Sequence, residues 1–77
     1  MKTINAIAKL QNAGFTLTNN GNRYEAVAKN HVISFLNQDD SINCINVRGE
    51  NEHDDVTTDY SAGVFCDNLK QAIALVR

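Results

Sequence analysis

Residues 15–28 read FTLTNNGNRYEAVA and decide the fold of this chain. At their centre, residues 19–22 form a turn signal, because the Asn-Gly pair readily adopts the positive φ of a tight β-hairpin. On both sides of the turn, apolar and polar side chains alternate, as they do in a half-buried strand. The residues predicted to share the buried side are Phe15 and Leu17 before the turn, and Tyr24, Ala26 and Ala28 after it. The stretch therefore predicts an antiparallel hairpin with one face in the core.

The hairpin extends into a predicted meander. Residues 29–30 (Lys-Asn) favour a second tight turn, and residues 31–37 are rich in strand formers. Residues 37–41 are a predicted loop, and residues 42–48 form a fourth strand. The apolar residues of that strand are Ile42, Cys44, Ile45 and Val47. Because the connections are short, all three strand pairings are expected to be antiparallel.

An amphipathic helix is predicted at residues 3–13. Thr3 is expected to cap it, because its hydroxyl can accept a hydrogen bond from an N–H group of the first turn. Gly14 stands where a helix often ends in a left-handed residue. The residues expected to face the core are Ile4, Ile7 and Leu10, which lie on one side of the helix.

A second helix is predicted at the C-terminal end, with Asp67 as its cap. Its apolar residues follow the i, i+3, i+4, i+7 spacing that is typical of a buried helix stripe. They are Leu69, Ala72, Ile73 and Val76. Residues 60–66, which precede the helix, fit either a short extended segment or a packed loop.

The element order is therefore α-β-β-β-β-α in a single α+β domain that spans residues 1–77. We predict two layers: an antiparallel four-stranded sheet, with the N- and C-terminal helices packed on one of its faces. The opposite face of the sheet would be open or would meet a partner.

Composition narrows the classes of protein that the chain can belong to. Hydrophobic residues make up 43% of the sequence, as in an ordinary globular domain, and the formal net charge is −2. A mildly acidic chain lacks the basic surface of a general nucleic-acid binder. The sequence has neither an 18-residue apolar run nor the apolar region of a signal peptide at its start. We therefore expect no membrane association, and a cytoplasmic location.

The sequence predicts no catalytic residues, no metal ligands and no cofactor. Cys44 and Cys66 could each act with His31 or His53, but their spacing indicates no set of nucleophile, base and orienting group. We expect two small buried thiols, with a disulfide as the alternative in a secreted protein. No zinc-ligand or EF-hand spacing is present, although a flexible acidic loop could bind divalent cations weakly.

Residues 49–60 break the strand pattern and carry five of the nine acidic residues of the chain. Two interpretations remain open for this acidic segment. It can be a solvated surface connection, or it can be an anionic surface that occupies the Lys and Arg groove of a basic partner. The predicted partner-binding residues are Glu50, Glu52, Asp54, Asp55 and Asp59.

Residues 53–65 (HDDVTTDYSAGVF), leading to residues 69–73 (LKQAI), resemble the end of a small domain found in large polyvalent proteins of phages and conjugative elements. The shared features are the acidic pair, Thr-Asp-Tyr, Gly-x-Phe and the final helix, over roughly 25 residues. The resemblance implies a mobile-element origin and no catalytic residues. Small acidic proteins from such elements are often inhibitors of host defence, and anti-CRISPR proteins are among them.

Three functional hypotheses follow. The first is a non-enzymatic protein-binding module that inhibits a host nucleic-acid-handling complex such as a CRISPR effector. The second is a small nucleic-acid-binding accessory protein. It would need its cationic residues on one face, namely Lys2, Lys9, Arg23, Lys29, Arg48 and Lys70. The third is a structural or assembly protein that forms a homodimer through a sheet edge.

Overall fold

A computed structural model describes residues 1–28, 30–49 and 63–76 of the chain. In these ranges, two helices, α1 and α2, come before and after five strands, β1 to β5, in the chain. Their bounds are α1 Thr3–Asn12, β1 Thr16–Asn20, β2 Arg23–Ala28, β3 His31–Gln38, β4 Ser41–Gly49, β5 Val64–Cys66 and α2 Leu69–Leu75. The predicted α+β class, with one helix near each end, is confirmed.

The sheet has five strands in the order β1-β2-β3-β4-β5, and every neighbouring pair is antiparallel. The prediction of four strands was therefore one short. The fifth strand, β5, has only three residues, and Val64 pairs with Val47 of β4. Three residues are too few for alternation to mark a strand, so residues 60–66 could not be assigned from sequence.

The predicted turns at residues 19–22 and 37–41 lie within the described residues, and the chain reverses direction at both; the third predicted turn includes Lys29, which lies outside them. Asn20 pairs with Arg23, so a two-residue loop begins at Gly21, whose φ is +64°. Between β3 and β4 the loop is also only two residues long, and both Asp39 and Asp40 have positive φ, at 52° and 65°. Positive φ at both loop positions is the signature of a type I′ hairpin turn. The strands on each side are accordingly longer than predicted.

A β-bulge in β4 overturns the expectation that both cysteines are buried. Ser34 pairs with Asn46 and Leu36 pairs with Asn43, so Cys44 and Ile45 together oppose one residue of β3. Such a bulge shifts the side-chain alternation by one position. Ile45 therefore reaches the core, whereas Cys44 has a φ of +54° and is exposed. Both Cys44 and the half-buried Cys66 are free thiols.

Helix α1 ends as predicted, but its N-cap residue and its buried face differ from the prediction. At its end, Gly14 with φ +95° donates to the carbonyl of Gln11, and Phe15 donates to that of Leu10. This hydrogen-bond pair defines a Schellman motif, and it folds the buried Phe15 back onto the buried Leu10. The motif fixes how the helix enters β1.

At the other end of α1, the N-cap is Lys2, without a side-chain cap. Thr3 is instead a buried first-turn residue whose hydroxyl donates to Asn37 Oδ1 at 2.6 Å. That contact turns the helix so that its buried stripe is Thr3, Ala6 and Leu10. The expectation that Ile4 faces the core was wrong, because its side chain is 73% exposed. Ile7 is half-buried.

Helix α2 is capped by Asn68 rather than by Asp67, one residue later than predicted. The Asn68 side-chain oxygen accepts a hydrogen bond from the Gln71 N–H at 2.9 Å. In return, Gln71 Oε1 accepts one from the Asp67 N–H at 3.0 Å, a reciprocal arrangement close to a capping box. The four residues of the predicted apolar stripe are all buried, which confirms the face that α2 presents.

Both helices lie on the same face of the sheet, as predicted. Leu10 and Leu69 share one buried cluster with strand residues of that face, including Ile33 and Phe35. Phe35 is 1% exposed, and its ring is stacked on that of Tyr24 with 5.4 Å between the centroids. Within the described residues, neither helix has the length and apolar character needed to cross a membrane.

Candidate functional site

The sheet face opposite the two helices, here called the distal face, carries a row of paired residues across all five strands, of which four are polar and the last is apolar. Strand pairing aligns its members directly: Thr18, Glu25, Ser34, Asn46 and Phe65. Neighbouring strands lie about 4.8 Å apart, so the row is about 19 Å long. Two of its central residues, Ser34 and Asn46, are buried, although they are polar. Buried polar side chains on the face away from the core need an explanation.

An ion pair crosses the distal face beside this row. Arg48 of β4 donates from Nη2 to Oε2 of Glu25 at 2.9 Å, although β3 lies between their strands. The same carboxylate oxygen lies 3.8 Å from Nε of Arg23. The Arg48 side chain is 8% exposed and that of Glu25 is 37% exposed. The guanidinium therefore depends on Glu25 for the charge neutralisation that water would otherwise supply.

Two hydrogen-bond donors near this pair are buried and have no partner in the part of the chain that the structure describes. They are Nη1 of Arg48 and Nδ2 of Asn46. Both side chains project from β4 on the distal face, two residues apart. A buried donor without an acceptor costs about 1–3 kcal/mol, more when it is charged. Each such group in a native structure needs an explanation, and an acceptor supplied by a bound group is one.

A groove of about 330 Å³ lies over β3 and β4 on this side of the sheet. Arg23 of β2 borders it at one end and Phe65 of β5 at the other, about three strand spacings or 14 Å apart. Ser34 and Asn46 are among its polar lining residues, and Leu36 is among its apolar ones. The exposed Cys44 lines it too, because the bulge turns this residue out of the core. The groove thus combines donors with apolar surface.

Strand β5, at one edge of the sheet, is apolar on both sides. Val64 is 57% exposed and Phe65 is 62% exposed, and the two side chains point to opposite faces. The other edge strand, β1, presents mainly Thr and Asn side chains. Natural proteins usually protect an edge with charge or with an irregularity. Among the described residues, β5 is thus an exposed apolar edge beside a groove, a combination typical of an interaction site.

Gly63 allows β5 to lie this close to β4. Its φ is +103°, and a Cβ built on it would lie 2.5 Å from the carbonyl oxygen of Val47. The same atom would lie 2.9 Å from Oδ1 of Asn46 and 3.0 Å from Cβ of Arg48. Only glycine fits this position without displacing the residues that form the groove.

All five predicted partner-binding residues lie outside the described residues, so their prediction stays untested. They are Glu50, Glu52, Asp54, Asp55 and Asp59. His53 also lies there. In the described part of the chain, no three His, Cys, Asp or Glu side chains form a group that could hold a metal ion.

The described cationic side chains do not gather on one face. Lys9 and Lys70 line a groove between α1 and α2, whereas Arg23 and Arg48 lie on the distal face. Lys29 lies outside the described residues. The single basic surface that the nucleic-acid hypothesis requires is therefore not formed by these four residues.

Sequence reasoning missed the groove, although one signal for it was present. Asn46 and Arg48 alternate with Ile45 and Val47, which marks them as facing away from the core. Counting register from the two-residue turns would have aligned Glu25 with Ser34. The same count does not give the pairing of Ser34 with Asn46, because the bulge in β4 shifts the register by one residue. Side-chain alternation also does not tell whether a polar face is buried.

Comparison with known proteins gives no match for this chain among family models, curated proteins or solved structures. The resemblance of residues 53–65 to a mobile-element domain therefore stays a prediction.

Proposed function

We propose that this chain is a protein-binding module that acts by occupying a surface of its partner. The observation that carries the proposal is the apolar edge strand β5, where Val64 and Phe65 are both more than half exposed. A strand added to this edge would cover both side chains and form backbone hydrogen bonds with β5. The groove beside Phe65 extends the same contact onto the distal face.

The proposed partner is a host protein with a basic surface, such as a subunit of a CRISPR effector. This part of the proposal rests on the charge of residues 49–60 and on the resemblance to mobile-element domains. In this view the edge strand supplies apolar contact, and the carboxylates supply attraction to Lys and Arg. The module would then be a non-enzymatic, mobile-element-encoded inhibitor.

Affinity capture with matched variants tests the edge-strand contact. Tagged wild-type chain, a Phe65→Ser variant and an Ile4→Ser variant are incubated with lysate of a candidate host, and captured proteins are identified by mass spectrometry. Ile4 is the control, because it is as exposed as Phe65 but lies on α1. We expect a protein that is captured by wild type and Ile4→Ser and lost with Phe65→Ser. Equal capture by all three variants would show that β5 is not the contact.

The acidic segment is tested on the captured partner. Glu50, Glu52, Asp54, Asp55 and Asp59 are changed together to Gln or Asn, and affinity is measured between low and high salt. We expect weaker binding and a flatter salt dependence, because exposed charges act over a Debye length of about 10 Å at ~0.1 M salt. Unchanged affinity would remove the segment from the contact and leave β5.

The two alternative functions, nucleic-acid binding and homodimer formation, are each tested by one simple experiment. A nucleic-acid-binding protein would shift nucleic acid in a gel at low salt, where phosphate contacts are strongest. A homodimer built on the apolar β5 edge would lose mass on dilution in light scattering, and Phe65→Ser would make it monomeric. The second is the stronger alternative, because the same exposed edge favours it.

A further inference from the structure

We propose that the groove on the distal face is a binding site for a side-chain carboxylate, presented by an Asp or Glu residue of a protein partner. The proposal rests on the proposed function, because it names the chemical group that a partner would insert beside Phe65. The observation behind it is a different one, namely the two buried donors without partners, Asn46 Nδ2 and Arg48 Nη1.

The donors define what kind of group the site lacks. Asn46 lines the groove and is 7% exposed, so bulk water barely reaches its unpaired N–H groups. Arg48 is not in the groove lining, but it lies two residues along the same strand on the same face and offers a second unpaired N–H from a charged group. Two unpaired donors fit a ligand that accepts hydrogen bonds. An ionised carboxylate has two oxygens and accepts such bonds strongly, especially from guanidinium.

The buried guanidinium of Arg48 favours an anion over a neutral amide. The apolar walls of the groove favour a side-chain carboxylate over a free phosphate ion, which has no carbon atoms for them to contact. The apolar walls formed by Leu36 and Phe65 would contact the carbon atoms next to the carboxylate.

Peptide titration followed by NMR tests the site without the natural partner. The probes are acetyl-Val-Glu-Val-amide and its twin acetyl-Val-Gln-Val-amide, at equal ionic strength. We expect the Glu peptide to shift the side-chain resonances of Asn46 and Arg48 in a saturable way. Its affinity should exceed that of the Gln peptide by about tenfold or more, the effect of one charge-assisted hydrogen bond.

Variants separate binding from folding. Asn46→Leu removes a buried donor that has no partner, so its melting temperature should stay level or rise while affinity for the Glu peptide falls about tenfold. Asn46→Asp keeps the size of the side chain but places a repelling carboxylate in the groove, and it should abolish binding even if the Leu variant misfolds. Thr18→Val, in the same row but on β1, should change neither property.

Several results would overturn the proposal. Equal shifts with the Glu and Gln peptides would show that the carboxylate is not recognised. Tighter binding of inorganic phosphate than of the Glu peptide would make this a phosphate site. Shifts of Asn46 and Arg48 on dilution without peptide would show that a second copy of the chain fills the groove. Because no partner is present, these results are independent of the capture experiment, so either proposal can fail alone.

Discussion

The Glu25→Gln substitution is the sharpest test of how the distal face is built. It keeps the size of the side chain and leaves a carbonyl oxygen that can still accept from Arg48. What it removes is the negative charge opposite a guanidinium that is 8% exposed and 2.9 Å away. Arginine cannot respond by losing its proton. The variant therefore leaves a buried positive charge with only a neutral acceptor.

The size of the effect follows from the geometry. A hydrogen bond to a charged group contributes about 1.5–3 kcal/mol and a neutral one about 0.5–1.5 kcal/mol. The difference is about 1–1.5 kcal/mol, and we take the lower end of that range because Glu25 itself is 37% exposed. With a urea m-value of about 1 kcal/mol/M for a small domain, the unfolding midpoint should fall by about 1 M.

A double-mutant cycle identifies the cause. Arg48→Met removes both the buried charge and its unpaired N–H, so its free energy of unfolding should stay within about 0.5 kcal/mol of wild type. Glu25→Gln should cost little more in the Arg48→Met background, because no guanidinium remains unpaired. Arg23→Gln, which breaks the longer 3.8 Å pair, is the control and should cost less than about 1 kcal/mol.

Urea unfolding followed by circular dichroism measures all four variants, at low salt and at ~1 M NaCl. The cost of Glu25→Gln should persist at high salt, since a buried pair is screened much less than an exposed one. If Arg48→Met destabilised the chain more than Glu25→Gln does, the guanidinium would be a net stabiliser. The picture of a buried charge held by Glu25 would then be wrong.

Three further predictions test other parts of the structure. Gly63→Ala should lower the free energy of unfolding by about 2–4 kcal/mol, because the added Cβ strains the backbone and overlaps β4. Gly21→Ala, with open space around it, should cost about 1 kcal/mol. Similar costs for the two variants in urea unfolding would contradict the close approach of β5 to β4. Phe35→Ala should cost about 3–5 kcal/mol in the same assay, and a loss below about 1 kcal/mol would mean that the ring is not in the core. Cys66 should react with iodoacetamide more slowly than the exposed Cys44 near pH 8. Burial, and then the neighbouring Asp67 carboxylate, raise the pKa of the Cys66 thiol, so less of it is in the reactive thiolate form. Equal rates by mass spectrometry would refute this.

Local chemistry in the sequence was sufficient for much of the fold. The Asn-Gly pair predicted the first hairpin, and Gly14 predicted the end of α1, because each needs only its own backbone preference. The apolar stripe from Leu69 to Val76 predicted the buried face of α2 for a similar reason. These features depend on residues that are close together in the chain.

Features that depend on distant contacts could not be predicted. The orientation of α1 depends on the hydrogen bond from Thr3 to Asn37, which are 34 residues apart, so Ile4 was assigned to the wrong side. The bulge that exposes Cys44 depends on how β4 pairs with β3. The groove needs both of these strands and β5 in register, and no local pattern contains that information.

Site-specific photocrosslinking tests the central claim, that the chain binds a protein partner through β5 and the distal face. A photoreactive phenylalanine derivative is placed at position 65 in one sample and at position 4 in another, and each is irradiated in lysate of the host. We expect one discrete crosslinked protein from position 65, competed by unlabelled wild-type chain but not by its Phe65→Ser variant, and none from position 4. Crosslinking of that protein from position 4 alone would place the partner on the helices and contradict binding through β5.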